Sequence, residues 1–189
     1  MNLRTEVRSR KAVTGKLAIA IVALAMLFVG IQRASAATTH SNDQQTLNKN
    51  VRRALVTIPW YGVFDNLEYT INGTEVVLSG QVVQPVTRHD AESAVKHVEG
   101  VTQVVDNITV LPLSGFDNQI RRAEYRAIFS DSSLGRYSLG AVPTIHIIVN
   151  NGHVTLEGAV MNQMDANIAR IRALSVPGVF SVTNNLRIG

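Results

Sequence analysis

The chain contains the same turn-and-strand motif twice. Residues 72–82 read NGTEVVLSGQV, and residues 150–160 read NNGHVTLEGAV. A shift of 78 residues superimposes Gly80 on Gly158 and continues without a gap until Asn107 meets Asn185. Glycines and apolar positions that match over such a span indicate that one small structural unit is present in two copies.

Each copy predicts the element order α-β-β-α-β. Apolar residues recur at helical spacing before the motif, as at Leu47, Val51 and Leu55. Two strands with period-two alternation follow, then a second helix and a last strand. This order predicts an α+β fold of two tandem sandwiches, each a three-stranded sheet with two helices on one face.

Caps and turns delimit these elements. Asp43 and Asp117 are the predicted N-caps of the first helix in each copy, and Thr87 is the predicted N-cap of the second helix in copy one. Pro59 is expected to end the first helix. Gly100 and Gly178 are predicted to stop the second helices as C′ residues. The glycines predicted to have a structural role in turns are Gly73, Gly80, Gly100, Gly152, Gly158 and Gly178.

The repeated pattern resembles the BON domain, in which NG-x-V-x-L-x-G-x-V and a helix precede G-V-x-x-V-x-N-x-L-x-V. Copy two carries it from Asn151 to Ile188, and copy one departs from it at Asp106, where the family usually has Asn. Asp keeps a short side chain that can bond the local backbone. The resemblance implies a non-enzymatic periplasmic module without cofactor or shared catalytic residues. Members of the family are associated with binding membranes or phospholipid, with tolerance of envelope stress, or with ligand binding.

The predicted domains cover most of the chain. The first BON domain is predicted at 43–112, and the second at 116–189 with an insertion at about 130–142. The insertion is inferred because the upstream helices align at a shift of only 69 residues, as from Arg52 to Arg121.

Residues 1–36 have the three parts of a secretory signal peptide. A basic segment precedes an uncharged apolar run at 17–31, and Ala34-Ser35-Ala36 provides a small-x-small cleavage site. We therefore expect a periplasmic protein, with an uncleaved membrane anchor as the alternative. Outside this segment the chain has 12 basic and 13 acidic residues, so a nucleic-acid partner is not expected.

The sequence offers little chemistry beyond binding. It has no cysteine and no recognised nucleophile motif. His146 and His153 point away from the helices on strand parity, and their strand positions lie roughly 10 Å apart. They are therefore interpreted as surface residues rather than as ligands of one metal ion. We expect neither an enzyme nor a metal site.

Binding is expected on the helices and on the loop after helix one, because the open sheet face of copy two is mostly polar. Aromatic residues in these loops could settle at a lipid headgroup layer, although Trp60 could instead close a core. An extra apolar row at Met164, Ile168 and Ile171 is expected to pack against the insertion or the other domain. The residues predicted to contact lipid or a partner are Trp60, Tyr61, Phe64, Arg121, Arg122, Leu134, Arg136, Tyr137, Ile168 and Ile171.

The leading hypothesis is an exported module that contacts phospholipid or an envelope protein in maintaining the bacterial envelope or resisting stress. Two alternatives remain open. One is a structural module that assembles with other proteins or with itself, and the other is a binder of a small ligand or an ion.

Overall fold

The computed structural model describes residues 43–189, and residues 47–189 form one compact unit that contains both repeats. The predicted signal peptide at 1–36 lies outside the described residues. In the described part of the chain, no helix is long and apolar enough to span a membrane.

The first repeat follows the predicted order, with its last strand divided. Its elements are α1 (43–56), β1 (Asn66–Asn72), β2 (Glu75–Val82), α2 (Pro85–Lys96), β3 (Gln103–Asp106) and β4 (Thr109–Val110). The second repeat consists of α3 (Gly115–Phe129), a 3₁₀ turn (Gly135–Ser138), β5 (Ile145–Asn150), β6 (His153–Val160), α4 (Gln163–Leu174), β7 (Ser181–Asn184) and β8 (Arg187–Ile188).

The central strand of each sheet is the strand of the repeated motif. Strand β2 pairs antiparallel with β1 and parallel with both β3 and β4. Strand β6 pairs in the same way with β5, β7 and β8. The sheet is thus three positions wide, and the third position holds two short strands. The predicted α+β class is confirmed.

The division of the third strand has a local cause. The Asp106 carboxylate accepts a hydrogen bond from the Ile108 amide at 2.9 Å. Asn184 accepts one from the Leu186 amide at 3.3 Å. A side chain that bonds the backbone two residues on competes with the sheet ladder and interrupts it.

Asp106, which departs from the family pattern, also has a different partner from its counterpart in the second repeat. Arg88 Nε donates to the Asp106 carboxylate at 2.7 Å. At the equivalent place in the second repeat, Asn184 donates to the Ala166 carbonyl at 2.9 Å. Either pair ties the second helix to the last strand, so Asp106 keeps the same structural role with a different partner.

Each repeat has its own core between the helices and the sheet. In the first repeat, residues from α1, α2 and β2 meet there, which places both helices on one face of the sheet. The buried members are Leu47, Val51, Leu55, Ile58, Val76, Leu78, Val82, Ala91, Val95 and Ile108. The second core has the same layout around Ile120, Ile147 and Leu156.

The predicted N-caps of α2 and α3 are wrong, whereas α1 ends shortly before Pro59 as expected. Ser114 caps α3, since its hydroxyl accepts from the Asp117 amide at 3.1 Å. Gln84 occupies the N-cap position of α2, so that Thr87 lies buried inside the helix. Helix α1 ends at Val56, before Pro59 is reached.

Asp117 instead holds the turn between β5 and β6. Its carboxylate accepts hydrogen bonds from the Asn151 amide at 2.9 Å and the Gly152 amide at 2.8 Å. The side chain is fully buried. An acid in the first helical turn therefore satisfies the tip of a distant hairpin, which sequence spacing does not reveal.

The glycines of the repeat adopt backbone conformations that other residues avoid. All six predicted turn glycines have positive φ. Gly100 and Gly178 lie four residues beyond the last helical residue, rather than at C′. At Gly158 an added Cβ would lie 2.1 Å from the carbonyl oxygen of Thr144, and Gly80 has the same conflict with Asn66.

We predict that Gly158→Ala lowers the free energy of unfolding by about 3 kcal/mol or more, because the methyl group meets backbone that cannot move aside. Chemical denaturation followed by circular dichroism measures it. Gly115→Ala is the matched control, since nothing lies within 4 Å of its added Cβ. Equal stability of the two variants would show that the close approach at Gly158 is unimportant.

Candidate functional site

The loop between α1 and β1 joins the first repeat to the second. The Ile147 amide on β5 donates to the Val63 carbonyl at 2.7 Å. Val63 and Phe64 pack against the core of the second repeat. The Phe64 ring also meets the Tyr125 ring of α3 edge to face, with 6.4 Å between centroids. Residues 57–65 are called the docking loop below.

Tyr61 of the docking loop covers His146. Their rings stack with centroids 5.6 Å apart and planes inclined by 20°. His146 is 8% exposed, so the prediction of a surface histidine is wrong. The strand parity was correct, but the first repeat covers that end of the open face. Burial lowers the pKa of His146, although the Asp65 carboxylate nearby favours the charged form.

Asp65 fixes the end of the docking loop. Its carboxylate accepts from the Val83 amide at 2.7 Å and from the Gly62 amide at 3.2 Å. The side chain is buried, and this burial raises its pKa. The two hydrogen bonds hold the loop against the end of β2, which sets where Tyr61 and Val63 meet the second repeat.

The arginine pair of α3 divides into an interior and a surface residue. Arg121 is buried, and its guanidinium donates to the Val149 carbonyl and to the Asn118 side chain, both at 2.7 Å. Burial lowers its pKa. Arg122 is exposed. Of Arg121 and Arg122, which were both predicted to contact a partner, only Arg122 is therefore accessible from outside.

The insertion belongs to the interior of the second repeat. Leu134 is fully buried and Tyr137 is 7% exposed. The Tyr137 hydroxyl donates to the Asp165 carboxylate at 2.5 Å and accepts from the Met161 amide at 2.9 Å. Both side chains would have to leave the core to touch lipid, and Arg136 beside them remains exposed.

The extra apolar row on α4 is only partly covered. Ile168 packs against the core of the second repeat. Met164 and Ile171 remain 70% and 63% exposed. The predicted packing of this row against the insertion or the other domain is therefore absent at Met164 and Ile171, and at Ile168 it stays a prediction.

The outer side of α3 presents cations with no competing acid. Arg122 and Arg126 are both exposed, whereas the acids of α3, Asp117 and Glu124, are fully buried. Since positions four apart lie on one side of a helix, the two guanidiniums share this surface.

Aromatic residues border these arginines in two shallow grooves. A groove of about 300 Å³ is lined by Trp60 and Arg122, among others. A second groove of about 400 Å³ is lined by Phe116, Arg122 and Arg126. Trp60 is 73% exposed, which favours contact with an external surface over packing in a core. The set Trp60, Phe116, Arg122 and Arg126 is called the α3 face.

The sequence reasoning missed Phe116, Arg126 and the neighbouring Phe180. Phe180 is 69% exposed, and its ring lies 6.1 Å from that of Phe116. The spacing of Arg122 and Arg126 on one helix was a readable signal. The two phenylalanines gave no such signal in the sequence, because apolar residues of a small domain are ordinarily assigned to its core.

Glu124 is an acid inside the second core. It is fully buried, and neither carboxylate oxygen has a hydrogen-bond partner. It occupies the core stripe of α3 between Ile120 and Ile128, where Leu55 stands in the first repeat. Burial raises its pKa to about 8. Glu124 is therefore mainly protonated at neutral pH.

Within residues 43–189, no group of three or more acidic or histidine side chains is arranged to hold a metal ion.

Comparison with known proteins identifies the family. A sequence model of the BON domain matches residues 43–112 and 129–189, more than half of the chain. The chain therefore belongs to the BON domain family. BON domains are generally non-catalytic and occur in periplasmic and envelope proteins. No curated protein sequence matches the chain.

Two solved structures are distantly similar to the chain. One is CdsD, a structural protein of the type III secretion system of Chlamydia trachomatis, with a TM-score of 0.28 and 12% identity over 76% of this chain and 93% of that one. Another is the C-terminal domain of CdsD, with a TM-score of 0.26 and 14% identity over 75% and 96% of the two chains. The family assignment depends on the sequence match alone.

We predict that Glu124 makes stability fall as pH rises from about 4.5 to about 8. The native state keeps a proton that the unfolded chain releases above its ordinary pKa of 4.5. The free energy of unfolding therefore decreases across this window, by about 1.4 kcal/mol per pH unit from this group. Denaturation of the protein and of Glu124→Leu at pH 5, 6, 7 and 8 measures the difference.

Glu124→Gln is the control, because it keeps the shape and the polarity but does not titrate. Both variants should lose the contribution to the pH dependence. A stability difference from the unchanged protein that stays constant from pH 5 to pH 8 would show that Glu124 is already ionised in the folded state.

Proposed function

We propose that this protein is an exported binding protein of the cell envelope that attaches peripherally to anionic phospholipid through the α3 face. The observation that carries the proposal is the exposed pair Arg122 and Arg126, which has no exposed acid on its helix and has aromatic side chains beside it. The family and the predicted signal peptide support an envelope location.

The charge of the α3 face fits an anionic surface. Each arginine near such a surface contributes about 1 kcal/mol of attraction. The chain outside residues 1–36 has one more acidic than basic residue. The attraction is therefore local, and added salt should weaken it within a Debye length.

The aromatic residues supply the second part of a peripheral contact. Trp60 is 73% exposed at a φ of +72°. An exposed indole is well suited to the boundary between headgroups and acyl chains. Phe116, 46% exposed, could enter the same boundary beside the second groove. Few apolar side chains are involved, so binding should be reversible and should depend on charge as well as on insertion.

We predict that the exported protein floats with vesicles that contain phosphatidylglycerol, and much less with vesicles of phosphatidylcholine alone. Arg122→Gln combined with Arg126→Gln should weaken binding by about tenfold or more, since about 2 kcal/mol of attraction is lost. Trp60→Ala should weaken binding to anionic vesicles at high salt as well.

The matched control is Arg53→Gln combined with Arg170→Gln, which removes two exposed arginines that do not line either groove. It should bind like the unchanged protein. Equal losses in both double variants would show that only total charge matters, and absence of flotation under every condition would exclude the lipid proposal.

A role in protein assembly is the second candidate, and the exposed apolar side chains of α4 favour it. Met164, Ile171 and Leu174 are 70%, 63% and 50% exposed. A helix usually buries such a row against a partner.

We predict for this candidate that sedimentation detects concentration-dependent oligomers, and that Ile171→Asp abolishes them without a change in the thermal midpoint. A protein that is monomeric at all concentrations would exclude self-assembly through α4.

A further inference from the structure

A larger cavity lies where the two repeats meet, and it shares no lining residue with the grooves of the α3 face. Its volume is about 570 Å³. This is within the range of about 300–1,000 Å³ that small-molecule sites occupy. The walls come from α1, the docking loop, β1 and the β5–β6 side of the second repeat, and we call it the interrepeat cleft.

Two cations and one acid line the interrepeat cleft. Arg52 enters from α1, Arg187 from β8 and Glu68 from β1. Among the described residues, neither arginine forms an ion pair. The Glu68 carboxylate accepts a hydrogen bond from the Asn66 side chain at 3.4 Å. The formal charge of the wall is therefore one positive unit.

His146 in the wall of the cleft has an unsatisfied nitrogen. The residue is 8% exposed, and its Nδ1 has no hydrogen-bond partner. Buried polar atoms without a partner are uncommon, and each calls for an explanation. Because Nδ1 is closed to solvent, it is not available to a ligand in the cleft, and the cationic anchors there are the two arginines.

The remaining wall combines apolar and polar side chains. Leu55, Val56, Leu67 and Pro143 line it together with the ring of Tyr61. Ligand sites ordinarily combine apolar side chains with polar groups that fix the ligand's orientation, and the cationic groups here are two guanidiniums.

We propose that the interrepeat cleft binds a small organic acid as its monoanion, with the carboxylate paired to Arg52 and Arg187 and an apolar body against Leu55, Pro143 and Tyr61. The planar guanidinium matches a carboxylate geometrically. A phosphate monoester fits less well, because it has nearly two negative charges at neutral pH and Glu68 would oppose the second.

Benzoate is the probe, and benzamide is its neutral counterpart of similar shape. We expect benzoate to shift amide resonances around the cleft in a saturable manner, including those of Tyr61, Thr144 and His146, in ¹⁵N-labelled exported protein. Benzamide should bind at least tenfold more weakly. Arg52→Gln and Arg187→Gln should each weaken benzoate binding by about tenfold.

Arg53→Gln is the matched control, since it removes an exposed arginine of α1 outside the cleft. The affinity for benzoate should not change in this variant. Arg52 and Arg187 are exposed, so both variants should fold, and the spectra report folding directly.

The proposal would be overturned if benzoate produced no saturable shifts, or if Arg53→Gln weakened its binding as much as Arg52→Gln does. Equal binding of benzoate and benzamide would also overturn it. Vesicle flotation uses Arg122 and Arg126, which lie outside the cleft, so failure of either proposal can be recognised without the other.

Discussion

The hydrogen bond from the Ile147 amide to the Val63 carbonyl is part of the contact on which the surfaces between the two repeats depend. It joins an edge strand of the second repeat to the docking loop of the first, at 2.7 Å. The stacked rings of Tyr61 and His146 lie beside it. An uncovered edge strand is open to unwanted pairing, and here part of that edge is occupied within the chain.

This contact creates the surfaces to which function is assigned. The docking loop contributes to the wall of the groove beside Arg122 and to the wall of the interrepeat cleft. Without the docking, Trp60 and Arg122 would not line one groove, and Tyr61 and Pro143 would not line one cleft. Both proposals therefore require the two repeats to act as one unit.

The duplicated units share a fold but differ at equivalent positions. Asn48 accepts a hydrogen bond from the Tyr69 hydroxyl at 2.5 Å, whereas its counterpart Asp117 holds the backbone of the β5–β6 turn. Leu55 is an ordinary core residue, whereas its counterpart Glu124 is a buried acid. Helix α3 therefore has two buried acids at positions where α1 has an amide and a leucine.

The fold could be predicted from the sequence because its signals are local. Period-two strands, helical spacing and the glycines of the motif all depend on neighbours along the chain. Gly158 illustrates this, since its position in the motif already suggested a backbone constraint that the contact with Thr144 explains.

The candidate site was harder to predict because burial depends on how the repeats meet. Arg121 and Arg122 are adjacent in sequence, yet only one reaches the surface. Tyr137 was assigned to binding, but its hydroxyl bonds Asp165 of α4. No pattern along the chain states which side of a helix another domain will cover.

Amide hydrogen exchange at Ile147 tests the central claim that the repeats form one unit. We predict that this amide exchanges as slowly as the slowest amides of β2 and β6, because opening it requires the docking loop to leave and the shared structure to unfold. Fast exchange at Ile147, with β2 and β6 still protected, would show that the repeats separate readily and would contradict the account.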